Sequence, residues 1–269
     1  MTDLLPVLPS PDDSRDYQRG WWERTAAAIN LPEQVELDVY EVEDQGQHGS
    51  CLANAVCSAL EIYAKKAGKQ RDYSRMYAYW WIRALSKLHG SDSGGFPRDM
   101  VKAIAKFGVC DEAIYPYDAG NLSKVPTEDA IIQGIGNGDW VYERIPIPGP
   151  YDGVAEMTAC NTAIKSYLAQ GMPVLLTLEL DAEFTPKCKG DWRTQDWLVR
   201  KNWQAPKIGG HETLIVGYDD APEVKRFKVL NSWGAAWGDG GYFGLMYQPR
   251  KGQLWQSRAI QELWVVRPK

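Results

Sequence analysis

Three separated blocks of this chain hold residue types that together can perform acyl transfer through a thiol. The first, Gln45-Gly46-Gln47-His48-Gly49-Ser50-Cys51, puts a cysteine six residues after a glutamine. The second, Gly209-Gly210-His211-Glu212-Thr213-Leu214-Ile215-Val216-Gly217-Tyr218, places a histidine at the start of a strand-like run. The third, Val229-Leu230-Asn231-Ser232-Trp233-Gly234, offers an asparagine two residues ahead of a tryptophan. A thiol becomes a nucleophile near neutral pH once an imidazole takes its proton. Side-chain amides can orient that imidazole or donate to an oxyanion. Alone, a cysteine reads as a small, inert, buried hydrophobe; its company here points to an enzyme.

The elements that must position these groups follow from periodicity. Leu52, Ala55, Val56, Ala59, Leu60 and Tyr63 make the apolar stripe of a helix over residues 50–66, with Gly68 as its stop. Ser50 reads as its cap, so Cys51 falls in the first turn, where free N–H groups and the positive dipole end favour a thiolate. Further helices are expected over residues 74–87, 98–107 and 154–169. After Gly171 the period changes, and residues 173–180, 212–218, 227–231, 242–247 and 262–267 read as strands. Helices first and strands later predict an α+β protein of two lobes. Cys51 then sits on a mainly helical lobe (residues 31–150), and His211 and Asn231 on a mainly antiparallel one (residues 151–269). A peptide would bind in the cleft between them.

Composition narrows the class. The net charge is −5 with no run of Lys or Arg, so neither nucleic acid nor an anionic membrane is an expected partner. No apolar stretch approaches the roughly 20 residues that span a bilayer. The N-terminus, Met1-Thr2-Asp3-Leu4-Leu5-Pro6, lacks the basic region and apolar core of a secretory signal. Five cysteines without framework spacing and without a CxxC pair predict neither disulfides nor zinc, and no metal or other cofactor is expected. A reducing cytoplasmic setting, or delivery by a non-classical route, fits best.

The three blocks, in this order, resemble papain-like cysteine peptidases, of a compact bacterial or viral type without the usual disulfides. The resemblance covers roughly residues 31–269 as one peptidase domain. The family signature C-G-[SA]-C-[WY] is met by His48-Gly49-Ser50-Cys51-Leu52, with two departures. Ser93-Gly94-Gly95-Phe96-Pro97 resembles the family's substrate-binding Gly-Gly segment, and Tyr115-Pro116-Tyr117 its Tyr-Pro-Tyr. Asn231-Ser232-Trp233-Gly234, Trp237-Gly238 and Gly241-Tyr242 follow its C-terminal pattern. The histidine and asparagine lie somewhat farther from the cysteine than usual, which an insertion over residues 187–207 would explain.

The resemblance implies a papain-like fold, with a helical lobe, an antiparallel β-barrel-like lobe and the active site between them. It implies catalytic roles for four residues. Cys51 is the nucleophile that forms a thioester, and His211 the base and later the acid. Asn231 orients the imidazole, and Gln45 donates to the oxyanion beside the Cys51 backbone N–H. Trp233 resembles the indole that shields the Asn–His hydrogen bond. Gly94, Gly95 and Gly210 would bind substrate backbone, and Phe96, Pro97 and Thr177 would line the pocket for the side chain two residues before the scissile bond. His48 lies near Cys51 but lacks an Asn partner, and His89 reads as a solvated residue at a helix end.

Departures from the family carry their own expectations. His48 and Asp92 stand where the family has a bridged cysteine pair, and are expected to brace the same place by an ion pair or hydrogen bond. Glu212 replaces a small apolar residue; strand alternation points it away from the cleft, buried and in need of a basic partner or a proton. Leu52 replaces a tryptophan. The long prosegment of the family is missing, although residues 1–30 could inhibit as a short one, with Trp21-Trp22 as anchor; a strap on the back of the molecule is the alternative. The leading reading is a peptidase acting on a peptide or protein. The alternatives are an acyl transferase or ligase using the same machinery, and a catalytically silent peptide-binding module.

Overall fold

The computed structural model describes residues 7–11, 13, 30–149, 154–181, 190–194, 207–247 and 259–269. Trp21-Trp22 and most of the expected insertion at 187–207 lie outside them. In chain order the elements are β1 (Gln34–Glu36), α1 (Cys51–Lys66), α2 (Arg75–Leu85), α3 (Pro97–Phe107), α4 (Glu128–Gly136), β2 (Trp140–Arg144), α5 (Val154–Ala169), β3 (Val174–Asp181), β4 (Lys207–Asp219), β5 (Arg226–Leu230), β6 (Tyr242–Met246) and β7 (Ile260–Pro268). Helices α1, α2, α3 and α5 and strands β3 to β7 fall where periodicity placed them; α4, β1 and β2 were not anticipated.

All strand pairs are antiparallel, in the order β2-β7-β3-β4-β5-β6, with β1 beside the C-terminal end of β4. The sheet is open. Its end strands β2 and β6 do not pair, so the expected barrel-like closure gives way to a sheet with two faces. On one face, α1 and its helical neighbours pack on Leu175, Leu214, Val216 and Trp264. On the other, Met157, Ala163, Ile164 and Tyr167 of α5 pack on Leu176, Ile215 and Leu263. Burying one such large side chain contributes roughly 1.5–3 kcal/mol.

Helix α1 is central rather than amphipathic. Its polar positions Asn54, Ser58 and Glu61 are as buried as its apolar ones, so each needs a partner. Glu61 takes the Tyr73 backbone N–H at 2.9 Å and the Arg75 guanidinium at 2.9 Å. Arg75 also reaches Glu43 at 2.9 Å. This ion network fastens the loop before Gln45 to α1 and α2. The other helices start as their sequences dictate: Ser74 caps α2 through Tyr77 N, and Pro97 opens α3. No described helix is long and apolar enough to cross a membrane.

Candidate active site

Cys51 is the first residue of α1, but Ser50 is not its side-chain cap. The Ser50 hydroxyl lies 2.5 Å from Tyr117 OH, which in turn donates to the Gln45 carbonyl at 2.9 Å. Asn54 Nδ2 donates to Ser50 Oγ at 3.1 Å. The chain Asn54–Ser50–Tyr117–Gln45 therefore aligns the turn before the nucleophile with the loop carrying Gln45. Gln45 is itself buried and fixed: its Oε1 accepts from Ser232 Oγ at 2.6 Å, and its Nε2 donates to the His48 carbonyl at 2.8 Å. One hydrogen of that amide group remains available.

His211 sits on β4 and Asn231 immediately after β5, where pairing of Leu214 with Leu230 brings the two strands into register. His211 Nε2 lies 2.7 Å from Asn231 Oδ1, which also accepts from Ser232 N at 2.9 Å. That oxygen is an acceptor, so Nε2 carries the proton and Nδ1 has the lone pair in the neutral ring. Nδ1 is buried with no hydrogen-bond partner, leaving it free to take a proton from a thiol. Trp233 lies 4.7 Å from the imidazole at a 31° tilt, with Trp237 set edge-on behind it at 5.2 Å.

Both reactive groups are covered in this form: Cys51 is 2 % exposed and His211 0 %. Burial raises the Cys51 thiol to about 12, although backbone hydrogen bonding at Glu212, Leu52 and Cys51 pulls the other way. Burial lowers the imidazole to about 4, against the hydrogen bond that it donates to Asn231. The covered pair is thus a neutral thiol and a neutral imidazole. The thiolate expected at a helix start is not favoured here, because desolvation outweighs the first-turn N–H groups.

Residues 7–11 lie against the glycine that precedes His211 and against Gly95. Val7 N donates to the Gly210 carbonyl at 3.3 Å, and Leu8 N to the Gly95 carbonyl at 3.2 Å. A side chain at position 210 would meet the Val7 carbonyl at 2.2 Å, so this close approach requires glycine. Ser10 Oγ accepts from Arg98 N at 3.0 Å, Ser10 N donates to Glu262 Oε1 at 2.5 Å, and Arg98 Nη1 donates to the Pro11 carbonyl. The segment bridges the start of α3 and the sheet. Gly95 and Gly210 are brought together by it; Gly94 is not, since its N–H faces Tyr79 OH at 3.0 Å. Phe96 is half-buried and Pro97 buried at the start of α3.

Glu212 departs from expectation. It shares its face of β4 with Leu214 and Val216, toward α1, and its Oε2 accepts from Thr177 Oγ1 at 2.6 Å. It lies beside the residue expected to line the substrate pocket, not away from the cleft. Among the described residues it has no basic partner; burial first, then the Glu262 charge, push its carboxyl well above the usual range, against the hydrogen bond from Thr177. Arg98, Glu262 and Ser10 were missed in the sequence. Only the single glutamate in the apolar run Ile260-Gln261-Glu262-Leu263-Trp264 offered a signal.

The brace at the family's disulfide position is present. His48 Nδ1 stands 3.3 Å from Asp92 Oδ2, and Asp92 Oδ1 takes Gly49 N at 3.0 Å and Tyr79 OH at 2.5 Å. One carboxylate thus ties the turn before Cys51 to α2. His89 is exposed in the turn after α2, as expected.

The papain family cysteine protease domain matches residues 28–260. An uncharacterized peptidase C1-like protein of Acanthamoeba polyphaga mimivirus is 31 % identical over 83 % of this chain and 68 % of its own length. The chain spans about half the length of the plant relatives it matches. Among solved structures, xylellain, a cysteine protease from Xylella fastidiosa, is 25 % identical with a TM-score of 0.79, covering 98 % of this chain and 96 % of that one. A ragweed pollen cysteine protease in its proform shares the fold at 22 % identity and a TM-score of 0.62, over 97 % of this chain and 70 % of that one. With the domain matched over most of its length, this chain belongs to the papain family of cysteine proteases.

Proposed function

We propose that this peptidase hydrolyses peptide bonds through a thioester on Cys51, and that residues 7–11 hold its cleft closed in the form described. His211 Nδ1 takes the thiol proton as Cys51 Sγ attacks the scissile carbonyl. The resulting imidazolium donates from Nε2 to Asn231 and from Nδ1 to the leaving amine. Water then attacks the thioester, with His211 again as base. The Cys51 backbone N–H and the free hydrogen of Gln45 Nε2 serve the oxyanion, where one donor is worth about 2.7–4 kcal/mol. Gly95 and Gly210 offer substrate the carbonyls that Leu8 and Val7 now occupy, and Phe96, Pro97 and Thr177 flank its side chain. Trp233 keeps water from the His211–Asn231 bond.

The observation that carries this reading is the buried Nε2···Oδ1 contact of 2.7 Å beneath Trp233, which leaves Nδ1 as the basic nitrogen. The test is labelling of the full chain with an irreversible peptidyl epoxide, read by intact mass and peptide mapping. A single adduct on Cys51, lost in His211→Ala, is expected. Folded protein that takes up no label, even with residues 7–11 displaced, contradicts it.

A further inference from the structure

Gln45 opens a tight turn whose last residue, His48, holds it twice. The His48 backbone N–H donates to the Gln45 carbonyl at 3.3 Å, and the His48 carbonyl accepts from Gln45 Nε2 at 2.8 Å. Gly46, with φ of 60°, lets the chain close this turn. Where His48 sits therefore sets where the Gln45 amide points.

His48 is in turn anchored through its ring. Nδ1 stands 3.3 Å from Asp92 Oδ2, and because a carboxylate only accepts, the ring nitrogen donates. The ring also lies edge-on to Tyr117, with centroids 5.7 Å apart at 83°. Asp92 joins this turn to the rest of the lobe. Its Oδ1 takes Gly49 N at 3.0 Å and Tyr79 OH at 2.5 Å, and Tyr79 OH accepts from Gly94 N at 3.0 Å. Tyr79 is fully buried on α2, with the Arg83 guanidinium 4.3 Å from its ring centre. A continuous path thus runs from α2 through Asp92 and the His48 ring to the amide of Gln45, and its branch at Tyr79 ends on the backbone of Gly94.

The two arms of Asp92 serve different atoms. The arm to Gly49 leads into Cys51, which α1 also fixes as its first, buried residue. The arm to His48 leads back to Gln45. As a contribution to stability the second arm is minor, since the His48 and Asp92 side chains keep 21 % and 25 % of their surface exposed and solvent screens such a pair. As geometry it matters, because an oxyanion donor works only when it is already aimed at the place where charge develops.

We propose that His48, held by Asp92, is a positioning residue for acyl transfer: its ring keeps the Gln45 amide aimed at the oxyanion, while the reactivity of the Cys51 thiol itself does not depend on it. The inference rests on the peptidase reading of Cys51, with Gln45 as oxyanion donor.

The test compares two reactions of the same thiol in the full chain carrying Leu8→Pro, which removes the N–H bonded to Gly95. Cleavage of a fluorogenic peptide passes through an oxyanion. Alkylation by iodoacetamide forms the C–S bond as iodide leaves the methylene carbon, and puts no charge on a carbonyl oxygen. His48→Leu is expected to lower kcat at least about tenfold, within the roughly 10²-fold that a 1 Å misplacement can cost, with KM and the alkylation rate of Cys51 each within about twofold. His48→Asn, whose side-chain amide can donate where Nδ1 stands, should recover most of the lost kcat. Should His48→Leu not fold, Asp92→Asn is read in its place, with the same direction expected. An unchanged kcat, a loss confined to KM, a parallel fall in the alkylation rate, or no recovery in His48→Asn would each overturn the inference and leave the peptidase reading intact. No cleavage by the folded Leu8→Pro protein, with iodoacetamide still alkylating Cys51, would overturn both.

Discussion

His211 Nε2 donates to Asn231 Oδ1 at 2.7 Å, under an indole 4.7 Å from the imidazole ring. This contact fixes which nitrogen is basic, because Asn231 Oδ1 also accepts from Ser232 N and cannot turn its amide N–H to the ring without losing that bond. Replacing Asn231 with alanine frees the ring to rotate and to exchange tautomers. We expect kcat to fall by about 10²-fold with little change in KM, the low end of a general acid–base contribution. Steady-state kinetics on a fluorogenic peptide checks it; an unchanged kcat would remove Asn231 from the mechanism.

Gln45 is held at both ends, by Ser232 Oγ and by the His48 carbonyl. Gln45→Ala removes the proposed oxyanion donor and is expected to lower kcat by about 10²- to 10³-fold. A loss confined to KM would assign Gln45 to ground-state binding instead.

Residues 7–11 supply two backbone hydrogen bonds to the glycines of the cleft, one at Gly95 and one at Gly210. Each contributes about 0.5–1.5 kcal/mol net. Leu8→Pro deletes one of them and should raise the rate of Cys51 alkylation by iodoacetamide about tenfold or less. An unchanged rate would mean that the segment does not control access to the thiol.

Burial holds His211 at about 4, below its ordinary value near 6.5. Between these values this site binds more protons in the unfolded chain than in the folded one, so the contribution of His211 to stability falls as pH drops from 6.5 toward 4, while the raised Glu61 carboxyl works in the opposite sense. Urea denaturation of the protein and of His211→Gln at pH 7.5, 5.5 and 4.5 should show the stability of the protein relative to the variant declining as pH falls. A slope identical in the variant would place the pH sensitivity elsewhere.

Asp92 serves three donors at once: His48 Nδ1, Gly49 N and Tyr79 OH. Asp92→Ala deprives all three of this acceptor, at about 0.5–1.5 kcal/mol net for each bond. The melting temperature should drop by several degrees, with a larger fall in activity than the unfolded fraction explains, since Gly49 leads into Cys51.

The groups of the candidate site were legible because their residue types stand on local signals, a cysteine opening a periodic helix and a histidine in a β-branched run. Helix α4 was hidden by its composition: Gly134 and Gly136 weaken its propensity, and Ile132 and Ile135 face outward, so it has little apolar stripe to detect. The face of Glu212 was misread because alternation alone does not say which side of β4 looks toward α1; that is set by packing of Leu214 and Val216. The central burial of α1 was also invisible, since Asn54, Ser58 and Glu61 look like a solvated face until their partners are known. The roles of Ser10 and Glu262 depend on a contact between residues 252 positions apart, which no local pattern encodes.

The central claim is a covalent acyl group on Cys51. Rapid-quench intact mass spectrometry of the Leu8→Pro protein, mixed with a peptidyl ester, tests it most directly. The account predicts a transient adduct of acyl mass that maps to Cys51, is cleaved by hydroxylamine and is absent from Cys51→Ala. Turnover without any adduct, or turnover that persists in Cys51→Ala, would contradict it.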